Sequence, residues 1–368
     1  MQRRAFLGAT LASIAAALTA ASERNRWDKA VTVLDKATSE RQVSAAVLHV
    51  VQRGETFSQA FGTARSADAL FLLGSVSKPI NIAAVMSVFD EGRFRLDDPV
   101  KKFLPKFTGD GREKVSIRHL LTHVSGLPDQ LESNEALRRK HAPLQAFVDE
   151  TLRTPLAFAP GSRYQYSSMG ILLACYLAAK QADTDPRTLV ERRVFQPLGM
   201  KHSAQGLGRF RREELLDCQM DGAAPESGAG DPKAKEWDWN SDYWRKLGAP
   251  WGGTHASAPD IGRFLAEFLY ARGKVVKPAT AKEMIRNQHP KGWTPRGLGF
   301  AVGSEAGSPG CSERTFGHTG STGTLCWADP ATETICVVLT TLPRRGAKRH
   351  PRELASEQVA AAVSGMKK

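Results

Sequence analysis

The sequence predicts an α+β protein in which an antiparallel sheet, built from both ends of the chain and flanked by helices, is interrupted by a mostly helical insertion. Two observations carry this. Runs that read as strands fall at residues 43–61 and again at 298–341, while helical patterns fill the middle. Two of those helical stretches, Pro79–Phe89 and Met169–Ala179, are apolar on most faces, as helices are when they are buried. We divide the chain into a leader over 1–22 and one domain over 23–368, with a sheet part at about 23–95 and 255–368 and a helical part at about 96–254.

Each element follows from its residues. Met1–Ser22 begins with Arg3-Arg4 before Phe6-Leu7, runs through an Ala-rich apolar stretch and ends on small residues. That is the pattern of a twin-arginine-type export signal, which implies a periplasmic or extracellular protein. The apolar run from Ala5 to Ala21 is short and alanine-rich, so it makes a poor membrane span, and no later stretch is better suited. A helix is expected from Asn25 to Lys36, then strands at Val43–Val51 and Thr56–Phe61 joined through Arg53-Gly54. The next element, Phe71–Gly92, contains the first buried helix, which Gly92 ends. Ser116 caps a helix through Ile117, Leu120 and Leu121. Residues 205–250 read as irregular. The strands Leu298–Gly303, Thr315–His318, Leu325–Ala328 and Thr334–Thr341 follow, and the helix Glu353–Val363 closes the chain.

Composition limits the function classes. With 41% apolar and 24% charged residues, the chain can bury a core and is not a disordered polymer. The 51 Lys and Arg against 38 Asp and Glu give +13, which permits an anionic partner without requiring one. The basic run Arg344, Arg345, Lys348, Arg349, Arg352 has no interleaved aromatics, so it reads as a solvated face and no nucleic-acid partner is expected. The five cysteines lack Cys-x-x-Cys spacing. Cys326 and Cys336 flank a turn and can be paired across it, although two buried thiols are the expectation. His119 and His123 stand four apart on an expected helix, but Leu120 replaces the Glu of a metalloprotease, so they read as structural; no metal or cofactor is expected. Trp237, Trp239, Tyr243, Trp244 and Trp251 form either a wall over the cleft or the private core of a long loop.

Three motifs carry chemistry. Ser75-Val76-Ser77-Lys78 places a hydroxyl and an amine on one helix face. Serine needs a base to attack, and lysine serves only if its pKa of about 10.4 falls, which burial and a helix N-terminus both achieve. Tyr164-Gln165-Tyr166-Ser167-Ser168 lies on a turn after Pro160-Gly161, from which Tyr166 can relay a proton into a cleft. Gly317-His318-Thr319-Gly320-Ser321 lies between two strands, where glycine lets a substrate lie along the backbone and the Ser321 N–H can meet an oxyanion.

Taken in this order, the motifs resemble the serine β-lactamase and penicillin-binding-protein superfamily, in the branch holding class C β-lactamases, D-alanyl-D-alanine carboxypeptidases and related esterases. The segments 117–128, Pro197-Leu198-Gly199-Met200 and Gly252-Gly253 with Ala258-Pro259-Asp260 share the resemblance. It implies the β-lactamase-like fold, with Ser75 as the acylated nucleophile, Lys78 as its proton acceptor and Tyr166 as a second acid/base. Ser168, His318, Thr319 and Gly320 would bind substrate, and the N–H groups of Ser75 and Ser321 would form the oxyanion hole. The chain departs from the pattern twice. Ser168 stands where the family usually has Asn, and His318 where it often has Lys. Histidine near its reference pKa of about 6.5 is mostly neutral at pH 7, which favours an ester or a less charged amide. The expected activity is therefore that of an exported serine hydrolase on a small ester or acylated amide. A β-lactamase or D-alanyl-D-alanine carboxypeptidase acting on a β-lactam or cell-wall peptide is the alternative, and a non-catalytic binding relative is the rival from another class.

Overall fold

A computed structural model describes residues 26–364, so the leader expected over 1–22 lies outside the described residues. The sheet joins the chain's two ends. β1 (Ala45–Gln52) and β2 (Glu55–Gly62) form a hairpin whose turn, Arg53 and Gly54, has positive φ at both residues, as a two-residue turn with matching twist requires. β3 (Phe71–Leu72), β4 (Ser203–Gln205) and β5 (Thr254–Ala256) make a separate small sheet in the order β3-β5-β4. β6 (Ala301–Val302), β7 (Phe316–Gly320), β8 (Thr324–Asp329) and β9 (Thr334–Thr340) complete the main sheet in the order β2-β1-β9-β8-β7-β6, antiparallel throughout.

Apart from the edge strand β2, the sheet's long strands are buried on both faces, and the period of two sorts their side chains. Ala45 and Val47, with Ile335, Val337 and Leu339, enter the larger core shared with the buried helices. Ala46, Leu48 and Val50, with Cys336 and Val338, face the first helix (residues 26–39) and the last, Pro351–Ser364. The same alternation rules out the pairing of Cys326 with Cys336. In the β8–β9 register Cys326 stands opposite Val337 and Trp327 opposite Cys336, so the two thiols point to opposite faces.

The Ser77–Asp90 helix is buried along Ser77–Val88 and packs against the Ser168–Gln181 helix, which is buried at all but a few positions. These two helices position the site. The small β3-β5-β4 sheet was not expected, because strands of two or three residues leave no period to read. The strand expected at Leu298–Gly303 shrinks to Ala301–Val302. His123 lies beyond the short Ile117–Leu121 helix, with φ of 61°, so the two histidines do not share a helix face.

Contacts far apart in sequence seat the β7–β8 turn on the segment before Ser75. Thr322 Oγ1 donates to the Leu72 carbonyl at 2.7 Å and Thr324 Oγ1 to the Leu73 carbonyl at 2.6 Å. Arg352 contradicts the expected solvated basic face. It is fully buried, and its guanidinium donates to the carbonyls of Gly320 and Thr324. A side chain at Gly320 would overlap the Leu73 carbonyl oxygen and the Thr324 hydroxyl. Gly320→Ala is therefore expected to lower unfolding free energy by about 3 kcal/mol, read by urea denaturation.

Candidate active site

A cavity of about 410 Å³ opens where the end of β7 meets the helical insertion. It is lined by Ser75, Tyr166, Ser168, His318, Thr319, Gly320 and Ser321, with Lys78 buried beneath at 1% exposure. The candidate catalytic and substrate-binding residues named from the sequence thus converge. A larger groove of about 900 Å³ runs past Leu144, Tyr176 and Tyr243 and contains none of them.

Ser75 lies on a tight turn, Gly74–Val76, that leads into the Ser77–Asp90 helix rather than on the helix itself. Gly74 has φ of 55°, and a Cβ there would stand 3.2 Å from the Ser321 nitrogen. Glycine thus lets the turn carrying Ser75 approach the backbone after β7. Lys78 Nζ lies 2.9 Å from Ser75 Oγ and 2.9 Å from the Trp251 carbonyl oxygen, and 4.8 Å from the Tyr166 ring centre. Both recorded bonds are to neutral groups. Burial accordingly pushes its pKa down to about 8; the Asp129 charge opposes that shift and Arg296 adds to it.

Tyr166 is held from three sides. Its hydroxyl bonds to Ser75 and lies 3.5 Å from His318 Nε2, and its ring lies 4.5 Å from that of His123. Burial raises the phenol pKa well above its usual value, which outweighs the Ser75 bond, so Tyr166 is a neutral proton donor at rest. His318 Nδ1 lies 2.7 Å from the Thr319 carbonyl oxygen. That bond requires the proton on Nδ1 and leaves Nε2 to accept from Tyr166. Burial also drives the His318 pKa well below its ordinary value, so the ring is neutral for a stronger reason than its reference pKa. Thr319 is exposed at the cleft, and Ser321 is half-buried.

Other residues complete the site, and of these Asp129 and Arg296 carried no sequence signal. Asp129 Oδ1 accepts from the Ser168 N–H at 3.0 Å and from the Ser168 hydroxyl at 2.5 Å. Ser168 therefore lines the cleft but directs its hydroxyl proton to Asp129. His123 packs on Tyr166, and its Nδ1 accepts from the Ser167 N–H at 3.1 Å. Arg296 lies over the rings of both Tyr164 and Tyr166, and its Nε is buried without a hydrogen-bond partner among the described residues. Arg344, expected on a solvated face, lines the cleft.

The tryptophan cluster resolves into both roles. Trp239, Trp244 and Trp251 wall the cavity. Trp237 is buried beside Arg138, whose guanidinium lies 4.0 Å from the Trp244 ring centre and donates to the Trp237 carbonyl. Tyr243 turns away to stack on His141. Among the described residues no cluster of three His, Cys, Asp or Glu is placed to hold a metal, and no helix is long and apolar enough to cross a membrane.

The family model described as Beta-lactamase matches residues 19–361. The chain belongs to the β-lactamase family. It is 37% identical over 218 residues to Esterase EstB of Burkholderia gladioli, a match covering 52% of this chain and 54% of EstB, so the chain spans about half the length of that relative. A Salmonella agona protein with the provisional name D-alanyl-D-alanine carboxypeptidase is 25% identical over 312 residues, covering 77% of this chain and 72% of the relative. The D-amino acid amidase of Ochrobactrum anthropi SV3 superposes with a TM-score of 0.77 at 22% identity, over 93% of this chain and 99% of that one, which shows a common fold.

Burying Lys78 has a measurable consequence. Its folded pKa of about 8 lies below the unfolded value of about 10.4. The folded state therefore binds fewer protons between those values, and stability rises with pH across that window. Below about pH 8 both states hold the proton, and the full penalty of about 3 kcal/mol applies. Lys78→Met is expected to stabilise the fold by up to that amount at pH 7, with the gain shrinking toward zero above about pH 10.4. Chemical denaturation across pH measures it.

Proposed function

We propose that this protein is a serine hydrolase that carries an acyl group on Ser75 and hydrolyses a carboxylic ester or a small acylated amide. The observation that carries the reading is the 2.9 Å contact between Lys78 Nζ and Ser75 Oγ, made where burial brings the lysine toward neutrality. The neutral amine takes the serine proton as Oγ attacks the substrate carbonyl. The N–H groups of Ser75 and Ser321 receive the developing oxyanion, since the Ser321 nitrogen packs against the Gly74 turn. Tyr166, neutral and bonded to Ser75, protonates the leaving group, and the Lys78 ammonium then gives the proton it took from Ser75 to the Tyr166 phenolate, which restores both groups. Water repeats the attack on the acyl-enzyme. The likeness to EstB supports an ester substrate. Export through the leader at 1–22 belongs to the same proposal.

A second reading, a D-alanyl-D-alanine carboxypeptidase or β-lactamase, is favoured by one observation. Arg296 and Arg344 line the cleft and supply the positive charge that neutral His318 lacks. Turnover of a p-nitrophenyl ester beside a cephalosporin decides between the two, with intact mass recording the acyl-enzyme. Ser75→Ala is expected to abolish both turnover and labelling by a fluorophosphonate. An adduct that persists in that variant would overturn the assignment of Ser75. The kcat/KM of the wild type is expected to rise with pH and level off above about pH 8, as Lys78 loses its proton. Tyr166→Phe is expected to reduce kcat at least ~100-fold while leaving the phosphonate adduct at Ser75.

A further inference from the structure

The departure at Ser168 changes what the cleft offers a substrate. Neither polar group of Ser168 is spent on the cavity: its N–H and its hydroxyl both donate to Asp129 Oδ1. An acidic side chain therefore faces the site beside the position where the family usually presents a side-chain amide. Asp129 lines the same cavity as Ser75, and its charge is felt at both Lys78 and Tyr166. Three arginines, Arg138, Arg296 and Arg344, line that cavity too, yet Asp129 forms no ion pair with any of them among the described residues. Its Oδ2 has no hydrogen-bond partner among the described residues.

A carboxylate in a confined site is stabilised by a cation or by several donors. Asp129 has two donors, both on one oxygen. The neighbouring wall of Trp239, Trp244 and Trp251 offers little to a carboxylate but suits the apolar body of an acyl group. We propose that Asp129 is a specificity residue for the acyl portion of the substrate, where its free oxygen receives an ammonium group, so that the preferred substrates are esters or amides of amino acids. This rests on the serine-hydrolase reading above and adds the chemical class that the acyl side selects. Holding the N-terminus of the Ser168–Gln181 helix is a separate duty, performed through Oδ1.

The two duties separate in one substitution. Asp129→Asn keeps an oxygen to accept from Ser168 but removes the charge. The substrates are the methyl ester of alanine, as both enantiomers, and methyl 2-methylpropanoate, in which a methyl group replaces the ammonium at nearly the same volume. At about pH 6.5 the alanine amine is charged. The wild type is expected to favour the better alanine enantiomer over the neutral isostere by about tenfold or more in kcat/KM. Asp129→Asn is expected to bring that ratio close to one while its melting temperature stays near that of the wild type. A purely structural Asp129 would change both substrates equally and leave the ratio where it was. So would an effect acting only through the Lys78 pKa. A wild-type ratio near one, or a ratio unmoved by Asp129→Asn, overturns the proposal while fluorophosphonate labelling of Ser75 continues to support the hydrolase reading. Loss of that labelling in the wild type overturns both.

Discussion

The site depends on one constraint: a lysine amine must be kept close to neutrality within bonding distance of a serine hydroxyl. Burial of Lys78 achieves this, and much of the surrounding architecture serves that burial. The Ser77–Asp90 helix is enclosed along nearly its whole length, so Lys78 leaves its first turn into protein instead of solvent. The two bonds its amine donates, to Ser75 Oγ and the Trp251 carbonyl, satisfy it without supplying a negative charge that would restore its ordinary basicity. The Asp129 charge moderates the shift without reversing it.

The second half of the site comes from the other end of the chain. Thr322 and Thr324 hold the β7–β8 turn against Leu72 and Leu73, and Arg352 braces the same strand ends from behind. Buried side-chain bonds of this kind fix position more than they add stability. Their effect is to set the Ser321 backbone against the turn that carries Ser75. Tyr166 is fixed separately, through the cap of the Ser168–Gln181 helix and the ring of His123.

What could be read from the sequence followed from how regular each signal was. The two buried helices and the four longer strands of the main sheet have enough length to show a period, and the three motifs have fixed spacing. The small sheet has neither. Asp129 and Arg296 lie in loops and act through three-dimensional proximity alone, so nothing in their local sequence marks them. Arg352 misled for a physical reason: a run of basic residues reads as solvated, but its last member lies at the start of a helix packed on the sheet, where buried carbonyls satisfy it. The tryptophan cluster left two readings open because a loop's aromatics reveal their neighbours only after folding. His318 was legible as neutral, but its tautomer, set by the Thr319 carbonyl, was not.

The pairing of β1 with β9 joins residues 46–52 to residues 334–340. During synthesis on the ribosome the turn that carries Ser75 and the buried Lys78 emerge early, whereas the β7–β8 turn that bears Ser321 arrives only after the whole helical insertion. Closing so long a loop is slow, and an incomplete chain leaves β1 with an unpaired edge. A nascent polypeptide of this protein thus holds Ser75 without the Ser321 backbone that stands beside it in the folded domain. The two halves of the cleft therefore meet only once the whole domain has formed.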